Sequence, residues 1–403
     1  MHGGMTSPGD RKTRSNPRDI TSLVDAARSV AAARGISGMS LRTVAEEAET
    51  SVGSISYRIG DRAALIAAVL DREIELMARA RREWRARVAG HDVLGSGLLA
   101  DLVCEWLDEG AHGRRTSAIV TCELALLAAR EPSALPAIAL LFEEAEGLWR
   151  DILPSTPEGE RVARFIACYC LDEQVFSIVL SDETDYRLLR HSTVRGMLRG
   201  GQGSGDPAGL RWHMALVERL AVPAAAALDE SALPQQGTKS TIAEHIADLI
   251  VGQGVGVLSH RAVAQVAGVA TSSVAHHFPT HRDILFAGVE AVYLRLRGQI
   301  RDTGARLGSG DIIRLTHECA LAALTDPGFR PFAIDMRRRR AENVHAQYAG
   351  WLGVPVDSDR ARVQALVVAS IGNGLRSLAT GADWLPGPDM VRLLTKGGTG
   401  VLT

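Results

Sequence analysis

The sequence predicts an all-α protein, and three observations carry that prediction. Apolar residues recur at helical spacing through most of the 403-residue chain. Strand-type alternation between turn dipeptides is scarce. One helix-length pattern occurs twice and superposes without a gap. Its first copy is Gly35-Ile-Ser-Gly-Met-Ser40-Leu-Arg-Thr-Val-Ala45, Ala48 and Val52-Gly-Ser-Ile-Ser-Tyr-Arg-Ile-Gly60. Its second is Gly254-Val-Gly-Val-Leu-Ser259-His-Arg-Ala-Val-Ala264, Ala267 and Thr271-Ser-Ser-Val-Ala-His-His-Phe-Pro279. Gly35, Ser40, Arg42, Val44, Ala45, Ala48 and Ser54 recur as Gly254, Ser259, Arg261, Val263, Ala264, Ala267 and Ser273.

In chain order, residues 1–18 form a basic arm in which Arg11, Lys12, Arg14 and Arg18 have no acid among them. Such an arm is either a solubilising end or a contact for phosphate and minor groove. From Ile20 to Ala33, Leu23, Ala26, Ala27, Val30 and Ala31 share one helical face, and Gly35 stops the helix. Ser40 is an N-cap for a short helix to Ala48. Glu49-Thr50-Ser51 turns into a second short helix, Val52 to Arg58, and Asp61 opens a long one from Arg62 to about Ala89. The same plan follows Thr241: a helix to Val251, a stop at Gly252 to Gly256, the Ser259 cap, two short helices, and a long helix from Arg282 to Leu307. Leu98–Asp108, Ala118–Arg130, Leu135–Arg150, Glu158–Leu180, Asp311–Leu324 and Asp359–Leu378 are helix-length and amphipathic. Gly200 to Gly205 reads as a loop, and Leu233 to Thr238 as the boundary between halves.

Composition narrows the function classes. No apolar run reaches the roughly 18 residues of a membrane helix, and residues 1–18 lack an apolar signal core, so a cytoplasmic protein with no membrane partner is expected. Five cysteines without a CxxC spacing suit reduced, buried thiols, with Cys168 and Cys170 in the core. His277 and His281 are separated by Pro279 and have no evident third ligand, so no metal is expected. No catalytic constellation and no cofactor motif appears, which argues against an enzyme.

A short helix, a tight turn and a second short helix make a helix-turn-helix, whose second helix offers polar side chains to a major groove. The detail resembles the TetR (tetracycline-repressor) family of bacterial transcription regulators. Gly53-Ser-Ile-Ser-Tyr-Arg-Ile-Gly-Asp-Arg-Ala-Ala-Leu65 and Ser272-Ser-Val-Ala-His-His-Phe-Pro-Thr-His-Arg-Asp-Ile284 both follow the end of that family's signature. Departures are Ile59 in place of an aromatic, Ser272 in place of glycine and His281 in place of lysine. The resemblance implies tandem TetR-like units arranged as a pseudo-dimer. Each unit would be a three-helix helix-turn-helix domain followed by a helical ligand-binding and dimerisation domain. The implied domains are 19–65 and 239–285 for the readers, 66–230 and 286–403 for the regulatory parts, and 231–238 for the linker.

The resemblance also implies roles. Ser40, Arg42 and Thr43 would touch phosphate or a groove edge, Ser51, Val52, Gly53 and Ser54 would face bases, and Tyr57, Arg58 and Arg62 would clamp phosphates. In the second copy Ser259, His260 and Arg261 take the first role, Thr271, Ser272 and Ser273 the second, and His276, His277 and His281 the third. The imidazoles would grip DNA more tightly below about pH 6.5. Partners implied are double-stranded operator DNA and an unidentified small-molecule effector.

Trp84, Trp106, Trp149, Phe142 and Phe165 either line a pocket in the first half or pack its core. Arg337 to Arg340 reads as a solvated helix face or a contact for an acidic ligand or partner. The expected internal interface joins Glu158–Leu180 and Asp206–Leu228 to Asp359–Leu378 and Pro388–Leu394. An alternative is a sensor whose readers have lost DNA.

Overall fold

A computed structural model describes residues 19–94, 97–198, 207–221, 237–302, 310–342 and 344–395. The basic arm, the Gly200 to Gly205 loop and most of the expected linker lie outside them. All regular structure among the described residues is helical. The helices are α1 (Ile20–Arg34), α2 (Leu41–Glu47), α3 (Val52–Arg58), α4 (Arg62–Val88), α5 (Leu98–Ala111), α6 (Arg115–Arg130), α7 (Ile138–Ile152), α8 (Pro157–Val179), α9 (Thr184–Leu198) and α10 (Pro207–Arg219). Then follow α11 (Thr238–Gln253), α12 (His260–Ala267), α13 (Thr271–His277), α14 (His281–Asp302), α15 (Gly310–Thr325), α16 (Arg330–Arg338), α17 (His345–Leu352), α18 (Arg360–Thr380) and α19 (Gly387–Thr395).

Local sequence sets the ends of the short helices. Ser40 accepts the Thr43 amide while Thr43 Oγ1 accepts the Ser40 amide at 2.9 Å, a reciprocal cap for α2. Ser259 accepts the Ala262 amide at the start of α12. Gly35 and Gly254 leave α1 and α11 at φ 70° and 84°, a region open to glycine without a Cβ penalty. One face of each short helix is then buried: Val44 and Ala45 of α2, Ile55 of α3, Val263 and Ala264 of α12, Val274 of α13.

The centre of the molecule is the crossing of α8 with α18. Gly372 on α18 lies so close to the Cys168 carbonyl of α8 that no Cβ fits there. On the far side of α18, a Cβ on Gly196 of α9 would fall 2.8 Å from that of Ala361. Small residues let these backbones approach, and Phe165, Tyr169, Val175, Phe176, Leu366 and Val368 fill the flanks, each fully buried. Burial of each such large apolar side chain contributes about 1.5–3 kcal/mol. Packing is reciprocal: α9 lies on α18 and α19 lies on α8.

This arrangement corrects one expectation. The helix beside α8 at the interface is α9, which the periodicity does not announce, and α10 packs against α9 and the edge of α18. The buried face of α9 mixes Tyr186, Leu189, Val194 and Met197 with Arg190 and Thr193, so its apolar stripe is interrupted.

Those polar groups belong to a buried network that also corrects the reading of the arginine run. Arg337 is 1% exposed and donates through Nε to both oxygens of Glu173 on α8, at 2.7 and 3.0 Å. Arg340 donates to Asp172 at 3.0 Å, and His317 of α15 stands 3.3 Å from the same carboxylate. Tyr186 donates to Glu173 at 2.9 Å, and Arg337 Nη1 reaches Gln364 of α18 at 2.9 Å. Burial alone would raise the Glu173 pKa, but Arg337, Tyr186 and Arg190 outweigh it and hold the carboxyl below its ordinary value. Asp172 stays raised by burial in spite of Arg340 and His317. A charge run reads as solvated when its partners lie some 165 residues away in sequence.

Candidate nucleic-acid interface and the cavity behind it

In each copy the second short helix turns one apolar residue inward and leaves the rest outside. On α3, Ser51, Val52 and Gly53 are exposed, Ser54 and Arg58 are half-buried, and Tyr57 is 92% exposed. On α13, Thr271, Ser272 and His276 are exposed, and Ser273 and His277 half-buried. Arg42 and Arg261 project from the supporting helices. Arg42 Nε pairs with Glu46 at 3.1 Å across an open surface, a contact worth at most about 1 kcal/mol and easily exchanged for phosphate.

Several of the expected contact residues are engaged within their own helix-turn-helix, the hydroxyls of Ser40, Ser51 and Ser259 as helix caps. Arg62 donates to the Met39 and Ile36 carbonyls at 2.8 and 2.7 Å. The equivalent His281 approaches the Leu258 carbonyl through Nε2 at 3.0 Å. His260 Nε2 lies 2.7 Å from the Phe278 carbonyl, and Thr43 closes the α2 cap. These side chains hold loop to helix in each copy.

The turns entering the two supporting helices meet each other. A Cβ on Gly256 would collide with the Ser37 side chain. Each turn is held by a carboxylate from its own half: Glu123 of α6 accepts the Ile36 amide at 3.0 Å, and Glu318 of α15 accepts the Val255 amide at 3.3 Å. Arg130, at the end of α6, forms an ion pair with Glu318 across the halves.

Behind the first reader lies a cavity of about 800 Å³, counted to its mouth. Trp106, Phe142 and Trp149 line it; Trp84 and Phe165 do not, being packed behind the wall. Trp84 meets Trp106 edge-on at 5.5 Å, and Trp106 meets Trp149 edge-on at 6.3 Å. Cys122, Cys168 and Cys170 also face it, and burial pushes the Cys122 and Cys168 thiols up to about 12 and 11, so they stay protonated. Glu73, Arg114, Ser117, Gln174 and Arg376 complete the wall. An aromatic search of the sequence misses these polar residues, since each sits singly in an otherwise ordinary helix. Arg376 belongs to α18 and pairs with Glu146 of α7, so the second half helps close a cavity of the first.

Glu73 is also where the cavity touches the reader. Arg28 of α1 donates to Glu73 at 2.6 Å and to Ser117 Oγ at 2.8 Å. Burial pushes the Glu73 carboxyl up, partly offset by Arg28.

Among the described residues no helix is long and apolar enough to cross a membrane. No curated protein matches the chain. Residues 23–69, from α1 into α4, match the family model described as bacterial regulatory proteins, tetR family. The match covers the first helix-turn-helix with its capped α2 and solvent-facing α3. The match assigns those residues to a helix-turn-helix domain of the tetR-family type, a domain that supports DNA binding and regulation of transcription.

Proposed function

We propose that this is a single-chain, ligand-responsive repressor that reads DNA with two different helix-turn-helix units. The observation that carries the reading is the repetition of internal geometry. Arg62 and His281, at matching positions, bind matching carbonyls, and Glu123 and Glu318 hold matching turns. The reciprocal packing of α8 and α9 with α18 and α19 supports an internal dimer interface, so one chain would occupy one operator. The readers would be 19–65 and 239–285, and the regulatory parts 66–230 and 286–403 joined through 231–238.

Contact roles follow exposure. Arg42, Tyr57, Arg58, Arg261, His276 and His277 would position the readers on phosphates, with Ser40 and Ser259 beside them. Ser51, Val52, Gly53, Ser54, Thr271, Ser272 and Ser273 would face bases. These two sets differ, so the operator is not palindromic, and its half-sites lie about one helical turn, roughly 34 Å, or a multiple of it apart.

Response to a ligand would run through α6. Its Ser117, Ala118, Thr121 and Cys122 line the cavity, its Glu123 holds the first reader's turn, and its Arg130 reaches the second through Glu318. A shift of α6 would alter both turns at once, and a differential affinity of a few kcal/mol suffices to release DNA. Arg42→Ala with Arg261→Ala is the test. We expect wild-type protein to bind a defined genomic fragment and the double variant, folded by its melting curve, to lose at least about a hundredfold in affinity. Wild-type protein that binds no fragment at any salt would instead favour a sensor without DNA, a reading to which the inward engagement of His260 and His281 lends weight.

A further inference from the structure

The walls of the cavity specify a ligand class, given its reading as the effector site. Three aromatic side chains, Trp106, Phe142 and Trp149, with Met77, Leu141 and Leu171, make most of the lining apolar. At Trp106 the guanidinium of Arg114 lies 3.5 Å from the ring centroid. Its Nη2 donates to the Trp106 carbonyl at 2.9 Å, and its Nε makes only a long contact, 3.4 Å, with Glu109. Among the described residues Arg114 Nη1 has no hydrogen-bond partner, nor has the buried Nε2 of Gln174, which lines the same cavity. The remaining charges are satisfied inside the protein: Glu73 by Arg28 and Arg376 by Glu146. The two groups left open are therefore both donors, and one is cationic.

We propose that the cavity takes a flat aromatic carboxylate, its ring among Trp106, Phe142 and Trp149 and its oxygens on Arg114 Nη1 and Gln174 Nε2. A buried donor without a partner is costly, as at Gln174 Nε2, and a carboxylate would satisfy it while pairing with the partly exposed guanidinium of Arg114. Two tryptophans meeting edge-on, with Phe142 beside them, would otherwise suit a quaternary ammonium ligand. Here the face of Trp106 is already covered by a guanidinium, and Arg114 would repel a second cation. A neutral aromatic would fill the apolar volume and leave Arg114, paired only at 3.4 Å with Glu109, without an acceptor at Nη1.

Three probes of one shape test this on the full chain: 2-naphthoate, 2-naphthalenemethanol and (2-naphthylmethyl)trimethylammonium, followed by tryptophan fluorescence and calorimetry. We expect naphthoate to bind at least about tenfold more tightly than the alcohol, and the ammonium most weakly. Arg114→Gln should weaken naphthoate about tenfold and leave the alcohol within about twofold. If that variant does not fold, Gln174→Leu decides, with an expected loss for naphthoate of about fivefold. Preference for the ammonium or the alcohol, equal naphthoate binding in the variants, or no binding by any probe would overturn the carboxylate class. Release of DNA, measured in parallel, keeps the two claims apart. A neutral or cationic probe that binds and releases DNA refutes the class and leaves the effector reading standing. Naphthoate that binds without changing DNA affinity refutes the effector reading alone.

Discussion

The two copies of the short-helix pattern share a frame and differ in how it is fastened. At the turn between the short helices, the first copy holds Glu49 at φ 48° where the second has Gly268 at φ 65°. Ser51 caps α3 by accepting the Ser54 amide, whereas Ala270, at the same position, offers α13 no side-chain cap. Arg62 makes two bonds to the loop and His281 one. The largest difference lies on the first helix. Arg28 of α1 binds Glu73 and Ser117 in the cavity wall, while the matching Ala247 of α11 and Val292 of α14 are fully buried and apolar. The first copy is thus tied to the cavity wall by charge, whereas the matching positions of the second are joined by apolar packing. Pattern alone specifies the helix-turn-helix frame; its connection to the helices behind it is specified separately.

The comparison breaks most severely at Arg28. Replacing it by alanine strands Glu73, which is 2% exposed, and should cost about 3 kcal/mol in urea unfolding. The same variant should lose ligand-dependent release at the first half-site in footprinting while the second half-site still responds. Equal loss at both half-sites would contradict separate fastening.

Acid should weaken the common frame before it distinguishes the readers. His213 of α10 is buried beside Ser192, and its pKa falls to about 3 from 6.5, chiefly through burial. Below pH 6.5 the unfolded imidazole takes up a proton that the folded one refuses, so stability falls as pH drops from 6.5 toward about 3. The loss reaches about 1.4 kcal/mol by about pH 5.5. Thermal unfolding across that window checks this, and His213→Gln should flatten the slope. An unchanged slope in the variant would assign the acid response elsewhere.

Caps and turns should give smaller, opposite effects in the two copies. Ser51→Ala removes the α3 cap and should cost about 1 kcal/mol, whereas Ala270→Ser should stabilise α13 by about half of that, both read from melting curves. Glu49→Gly relieves a left-handed conformation and should gain about 0.5 kcal/mol, whereas Gly268→Ala should lose about 1 kcal/mol. Like-signed changes at either pair would show that the two turns are not equivalent.

What the sequence makes legible follows from how local each determinant is. Ser40, Asp61, Ser259 and the glycines at 35 and 254 lie within a few residues of the helices they end, and the ends of α2, α3 and α4 fall where those signals stand. The all-α class follows from the same periodicity. By contrast α9 is hidden because its inward face carries Arg190 and Thr193, whose partners come from α5, α8 and α18. Arg337 and Arg340 are misread for the same reason: burial of a charge depends on a carboxylate remote in sequence. At the cavity, Trp106, Phe142 and Trp149 are visible by type, whereas Arg114 and Gln174 gain meaning only from the empty space they border.

The measurement that tests the account most directly is selection of genomic DNA by the purified protein, with the mass of each bound complex. One chain on a two-part, non-palindromic site is the predicted result. A palindrome carrying two chains would contradict it, since a single reader of each chain would then be in use.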